Sequence, residues 1–131
     1  MRSQAREAVF KFIFSQLFNP DDEGLFTVLC KELNQDDKSF AQTLLNAVNQ
    51  GKDEYLQDIE KLAVGYKLNR LYNADKCALL IGFAEFNAFP DTPKPVVINE
   101  TVNLAAKYST ENSTNFVNGV LAEYVRGKNN G

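Results

Sequence analysis

Histidine is absent from the 131 residues of this chain. Without an imidazole, Ser-His-Asp and Cys-His nucleophilic chemistry and histidine-ligated zinc are all excluded. Cysteine is scarce: Cys30 and Cys77 stand far apart, with no C-x-x-C spacing. Each falls within an apolar helical pattern, so two buried thiols in a reducing compartment are expected. The longest nearly apolar run, residues 77–84, is far shorter than the ~20 residues that cross a bilayer. No signal-peptide pattern opens the chain, because Arg2 and Arg6 lead into an amphipathic stretch. A cytoplasmic location with no membrane role is the expectation. Neither G-x-G-x-x-G nor G-x-x-x-x-G-K-[ST] occurs, so there is no phosphate cradle and no cofactor or metal is expected.

What is present is ordinary globular composition, 44% hydrophobic and 24% charged, and the length suits one core. A net charge of -3 argues against gripping nucleic acid by bulk charge alone. The charge is uneven, however. Residues 1–18 carry Arg2, Arg6 and Lys11 against Glu7, whereas residues 19–37 carry six acidic side chains against Lys31. The N-terminal arm is the basic end.

Hydrophobic spacing predicts helices throughout. From Gln4, the residues Ala5, Ala8, Val9, Phe12, Ile13 and Leu17 recur on one face, with Ser3 as N-cap, and Phe10, Phe14 and Phe18 make a second stripe. Such a helix is central to a bundle or carries a partner surface. Asn19-Pro20-Asp21-Asp22 breaks the chain, a short helix follows through Leu33, and 34–37 break it again. Two further helices are expected, one ending at Gly51 as a C′ glycine and one near Gly65. Asn73 or Asp75 then caps a helix to about Asn87 that is apolar nearly all round, the expected centre of the bundle. The prolines of 90–95 predict a rigid crossing loop. Helices over 97–108 and from a cap at Asn112 or Ser113 complete the chain, with a frayed tail from Arg126 to Gly131. The fold class is thus all-α, a single-domain bundle of about seven helices.

The carboxylates suggest no catalytic pair. Glu100 and Glu123 sit on helices where solvation or capping is the ordinary role, and Asn99-Glu100 reads as a helix entry. No catalytic residue is assigned, and the chain does not read as an enzyme.

The C-terminal third is the specific part. Pro93-Lys-Pro-Val-Val-Ile-Asn-Glu100-Thr-Val-Asn-Leu-Ala105 is followed by Ser113-Thr-Asn-Phe-Val-Asn-Gly-Val-Leu121, after an opening Arg2-Ser-Gln-Ala-Arg-Glu7 and with Asp75-Lys76 heading the central helix. This pattern resembles the transcription antitermination protein NusB family over essentially the whole chain. The resemblance implies an all-α RNA-binding factor that pairs with the small-subunit ribosomal protein NusE. It further implies binding of single-stranded boxA-type RNA and a part in the RNA polymerase antitermination complex. It implies that the arginine arm and the start of the last helix face RNA, here Arg2, Arg6, Ser113, Thr114, Asn115 and Phe116. Asp75 and the first helix, through Phe14, would face the ribosomal partner.

Physical chemistry supports part of this assignment independently. Single-stranded RNA is held by aromatic stacking, by hydrogen bonds to base edges and by cations on phosphates. A helix N-terminus offers free N–H groups beside Ser113, Thr114, Asn115 and Phe116. Phe116 also lies on the stripe of Val120, Leu121 and Tyr124, so core packing remains open for it. Asn118-Gly119 reads as a close helix contact. Basic residues common in the family are replaced here by Leu80, Ala106 and Asn115. Unaided RNA binding should therefore be weak and depend only shallowly on salt. Two other readings stay open. One is a module like the N-terminal domains of ribosomal RNA cytosine methyltransferases. The other is a helical interaction protein using Phe10, Phe14 and Phe18 for a partner or a homodimer.

Overall fold

The structure, a computed structural model, describes residues 2–20, 22 and 24–130. Among these are six α-helices and one 3-10 turn: α1 (Arg2–Gln16), α2 (Leu25–Leu29), α3 (Gln35–Leu62), the turn Leu68–Arg70, α4 (Asn73–Ala88), α5 (Lys94–Tyr108) and α6 (Ser113–Asn130). The all-helical class holds, with one α-helix fewer than the sequence suggested. Asp21 of the breaker cluster and Gly131 of the tail lie outside the described residues.

The count falls because α3 runs straight through Gly51. A Cβ on Gly51 would stand 2.3 Å from the Tyr55 ring. Helical side chains lean back over the preceding turn, so glycine here clears room for Tyr55 rather than ending a helix. Gly65, at φ +86°, is the glycine whose positive φ turns the chain. The break expected over 34–37 ends at Asn34, because residues 35–37 already belong to α3. The Asn34 side chain accepts from the Asp37 N–H at 2.8 Å, and Asp36 and Asp37 occupy the first turn of α3, where the helix dipole favours acids.

Helix α4 is the axis of the bundle, with α1, α3, α5 and α6 all packed against it. Its apolar residues leave no polar face, and from Cys77 to Phe86 every residue is buried. Gly82 marks the tightest crossing, since a Cβ there would meet Leu121 Cδ2 of α6 at 2.7 Å and Thr101 Oγ1 of α5 at 3.1 Å. Gly119 has nothing within 4 Å of such a Cβ, and Asn118 is exposed beside it. The close helix contact expected at Asn118-Gly119 is therefore made at Gly82 instead.

Helix ends also shift. Proline at the first turn of a helix loses no internal hydrogen bond, so α5 begins at Lys94 with Pro95 inside it. Glu100 then lies beyond the entry turn and accepts from the Ser3 hydroxyl at 2.9 Å. Ser3 accordingly serves as an inter-helix donor within α1, not as an N-cap. Tyr72 precedes α4 without a side-chain cap, so neither Asn73 nor Asp75 is the cap. The C-terminal segment does not fray, because α6 continues to Asn130.

The basic arm is also anchored. Arg6 grips Glu85 of α4 through Nε–Oε1 at 2.7 Å and Nη2–Oε2 at 2.6 Å. The two residues are 3% and 0% exposed. Nearby, Glu7 accepts from the Tyr108 hydroxyl at 2.6 Å and from Lys107 Nζ at 2.9 Å. The Tyr108 hydrogen bond is the leading cause that holds the Glu7 carboxyl below its ordinary range, with Lys107 adding to it. The cysteines are buried and unlinked, and burial pushes the Cys77 thiol up to about 12.

Candidate nucleic-acid and partner interfaces

Helix α6 starts where Ser113 locks three elements together. Its hydroxyl donates to Asp75 Oδ2 of α4 at 2.9 Å and lies 3.0 Å from both Ser109 Oγ and Thr110 Oγ1. Ser113 and Asp75 are buried, so the first residue of α6 is interior. Beyond it the helix emerges: Thr114 is half-buried and donates to the Glu111 carbonyl at 3.1 Å, Asn115 is exposed, and Phe116 is half-buried.

Phe116 does not disappear into the core. Its ring meets Tyr66 edge-on at 5.1 Å between centroids. The two rings line a cleft of about 110 Å³ together with Arg70, Tyr72, Asp75 and Ser113. The 66–72 connector thus supplies two exposed tyrosines and an arginine that the sequence reading left unassigned. A signal was available, namely aromatic and cationic side chains concentrated in a short non-helical segment between two strong helices.

The other expected RNA contacts lie elsewhere. Arg6 is committed to Glu85, ten residues along α4 from Asp75, or ~15 Å at 1.5 Å per residue. Arg2 is exposed, with its guanidinium 4.6 Å from the Phe40 ring centroid and 5.7 Å from that of Phe89. It borders an open cavity near Asp36 and Asp37. The six residues expected on one RNA surface therefore divide. Phe116 lines the cleft, Thr114 and Asn115 flank it on the first turn of α6 without lining it, Arg2 stands at the far end of α4, and Arg6 and Ser113 are buried against α4.

The partner assignments divide as well. Asp75 is interior rather than presented to a basic protein, because its carboxylate ties α4 to α6. Phe14 is half-buried between Phe10 at 6.0 Å and Phe18 at 5.6 Å. The phenylalanine stripe thus runs from core to surface, since Phe10 is buried against Tyr108 at 4.8 Å whereas Leu17 and Phe18 are exposed. A neighbouring cavity of about 290 Å³ is lined by Ile13, Leu17, Leu56, Lys76 and Leu80, among others. Among the described residues, no group of three or more cysteines and carboxylates could hold a metal ion. None of the described helices is long and apolar enough to cross a membrane.

Residues 3–126 match the NusB family. The chain belongs to the NusB family. It is 32% identical over 126 residues to the transcription antitermination protein NusB of Natranaerobius thermophilus, covering 92% of this chain and 91% of the relative. Its fold superposes on T. maritima NusB with a TM-score of 0.87 at 28% identity, covering 94% and 89% of the two chains. A second similar structure is of antitermination factors NusB and NusE in complex with double-stranded RNA. That one gives a TM-score of 0.84 at 27% identity, with 96% of each chain covered.

Within this NusB-family chain, Phe116→Ala separates stacking from packing. A half-buried ring should contribute only about 1–2 kcal/mol to stability, well below the ~3–5 kcal/mol of a fully buried phenylalanine. RNA affinity is expected to fall by ~1–3 kcal/mol if the ring stacks on a base. Urea unfolding and RNA titration of the same variant decide. A large stability loss with unchanged affinity would make Phe116 a core residue.

Proposed function

We propose that this chain is a transcription antitermination factor, acting as one RNA-binding domain without enzymatic activity. It works in the cytoplasm, binding boxA-type single-stranded RNA jointly with the basic ribosomal protein NusE within the RNA polymerase antitermination complex. The observation that carries this reading is the aromatic cleft at the start of α6. There Phe116 and Tyr66 offer ring surface beside Thr110, Asn112 and the free N–H groups of the helix end. Family membership supports an RNA-binding reading, as does the likeness to antitermination factors NusB and NusE in complex with double-stranded RNA. Single-stranded RNA is the favoured form because exposed rings stack on splayed bases, whereas a duplex keeps its bases paired inside. The exposed Leu17 and Phe18, with Phe14 beneath them, are the surface proposed for NusE.

This reading predicts a strong dependence on the partner. With Arg6 engaged internally, the basic arm loses one of its two arginines for phosphates, and each neutralised phosphate contributes only about -0.7 to the slope of log K against log salt on a single strand. An electrophoretic shift with boxA-like RNA should show weak binding by the chain alone and at least ~10-fold tighter binding with NusE, which adds charge and surface. Equal affinity with and without NusE would count against the joint site. Preference for the same RNA as a duplex would count against the single-stranded reading.

A further inference from the structure

The floor of the aromatic cleft holds an unused hydrogen-bond acceptor. Asp75 accepts from Ser113 through Oδ2, while its Oδ1 is buried without a hydrogen-bond partner. A buried carboxylate oxygen left open is costly and is rarely retained without a use. The cleft above it is walled by Tyr66 and Phe116, with Arg70 also lining it. A flat aromatic ligand suits such walls. The acceptor at the floor requires that this ligand bring an N–H donor.

We propose that the cleft takes one unstacked nucleobase and that Asp75 Oδ1 selects cytosine, through its N4 amino group, over uracil. The inference rests on the RNA-binding reading above and makes Asp75 a specificity-determining residue of that site. Uracil presents O4 where cytosine presents its N4 amino group, and its one donor on that edge, N3–H, stands between two carbonyls that the carboxylate repels. Asp75 is only 4% exposed, so the base reaches Oδ1 when a wall of the cleft yields. The wall suited to this is the connector that turns at Gly65, whose Tyr66 and Tyr72 are 57% and 61% exposed. Phosphates would stay at the rim with Arg70, away from the carboxylate.

The test compares fluorescently labelled oligo(C) and oligo(U), about twelve nucleotides long, in titrations with the full chain, alone and with NusE. Oligo(C) is expected to bind about tenfold more tightly, the scale of one hydrogen bond to a charged acceptor. Asp75→Asn carries a carboxamide whose N–H₂ can meet the uracil O4, so the ratio should fall to about one. Phe116→Leu should weaken both oligomers alike, because stacking does not discriminate between them. An oligomer of N4,N4-dimethylcytidine, which keeps the ring and charge but lacks the donor, should bind the parent chain as oligo(U) does. That comparison holds even if Asp75→Asn fails to fold. Equal binding of oligo(C) and oligo(U) overturns this inference and leaves the RNA reading standing. A preference that survives in Asp75→Asn, or with dimethylcytidine, overturns it too. Binding of neither oligomer, with or without NusE, removes the RNA reading and this inference together.

Discussion

Arg6→Ala is expected to destabilise the fold by about 3–5 kcal/mol, because it strands the fully buried Glu85 carboxylate without its partner. The pair is bidentate and closed to solvent, so water cannot replace the lost guanidinium. Arg6→Lys should recover only part of the loss, since an ammonium cannot match both carboxylate oxygens in the plane that the guanidinium uses. The double variant Arg6→Met/Glu85→Leu removes both charges and should regain most of the stability. Urea unfolding of the three variants measures this. RNA titration of the double variant gives a second reading, because unchanged affinity is expected if Arg6 serves only to dock α1 on α4. Arg6→Ala with parental stability but lost RNA binding would return Arg6 to the RNA surface.

That pair shows what a linear reading can and cannot reach. Arg6 and Glu85 are 79 residues apart, and nothing in either neighbourhood announces the other. An arginine near the N-terminus of an acidic protein therefore reads as a basic arm. The all-helical fold was legible because the 3.6-residue recurrence in α1, α3, α4, α5 and α6 comes from the same burial that builds the core. Gly51 was misleading for a different reason. A glycine that ends a helix and a glycine that clears space for a neighbouring ring are the same residue in sequence, and only the position of Tyr55 separates them. Pro95 hid the start of α5 because proline is compatible with both a loop and a first helical turn.

The candidate site was half legible. Phe116 follows from one contiguous motif and lines the cleft, whereas its neighbours Thr114 and Asn115 do not line it. Tyr66, Arg70 and Tyr72 reach the same cleft from the connector before α4, more than forty residues earlier, so their proximity exists only after α4 and α6 pack side by side. Ser113 illustrates the limit of residue type as a guide. A serine at the start of a helix could bind a phosphate, yet its position opposite Asp75 makes its hydroxyl an inter-helix clasp. Arg6, Ser113 and Asp75 are buried because the partner of each lies on another helix.

Asp75→Lys should damage the fold more than any interface. Asp75 stands in the first turn of α4 and accepts from the first residue of α6, so its carboxylate sits where the positive ends of two helices meet. Lysine would remove the acceptor of Ser113 and bring a third positive charge to that point. It would also bury an ammonium with no partner. A loss of about 3–5 kcal/mol is expected from the unpaired buried charge, and thermal unfolding would register it directly. Asp75→Asn keeps an oxygen for Ser113 and should cost only ~1 kcal/mol, so it is the informative variant for NusE. Because the carboxylate is interior, calorimetric titration should find that Asp75→Asn binds NusE as the parent chain does. A tenfold or greater weakening in a fully folded Asp75→Asn would instead mean that α4 opens its N-terminal turn to the partner, and Asp75 would rejoin the NusE interface that the family resemblance implies.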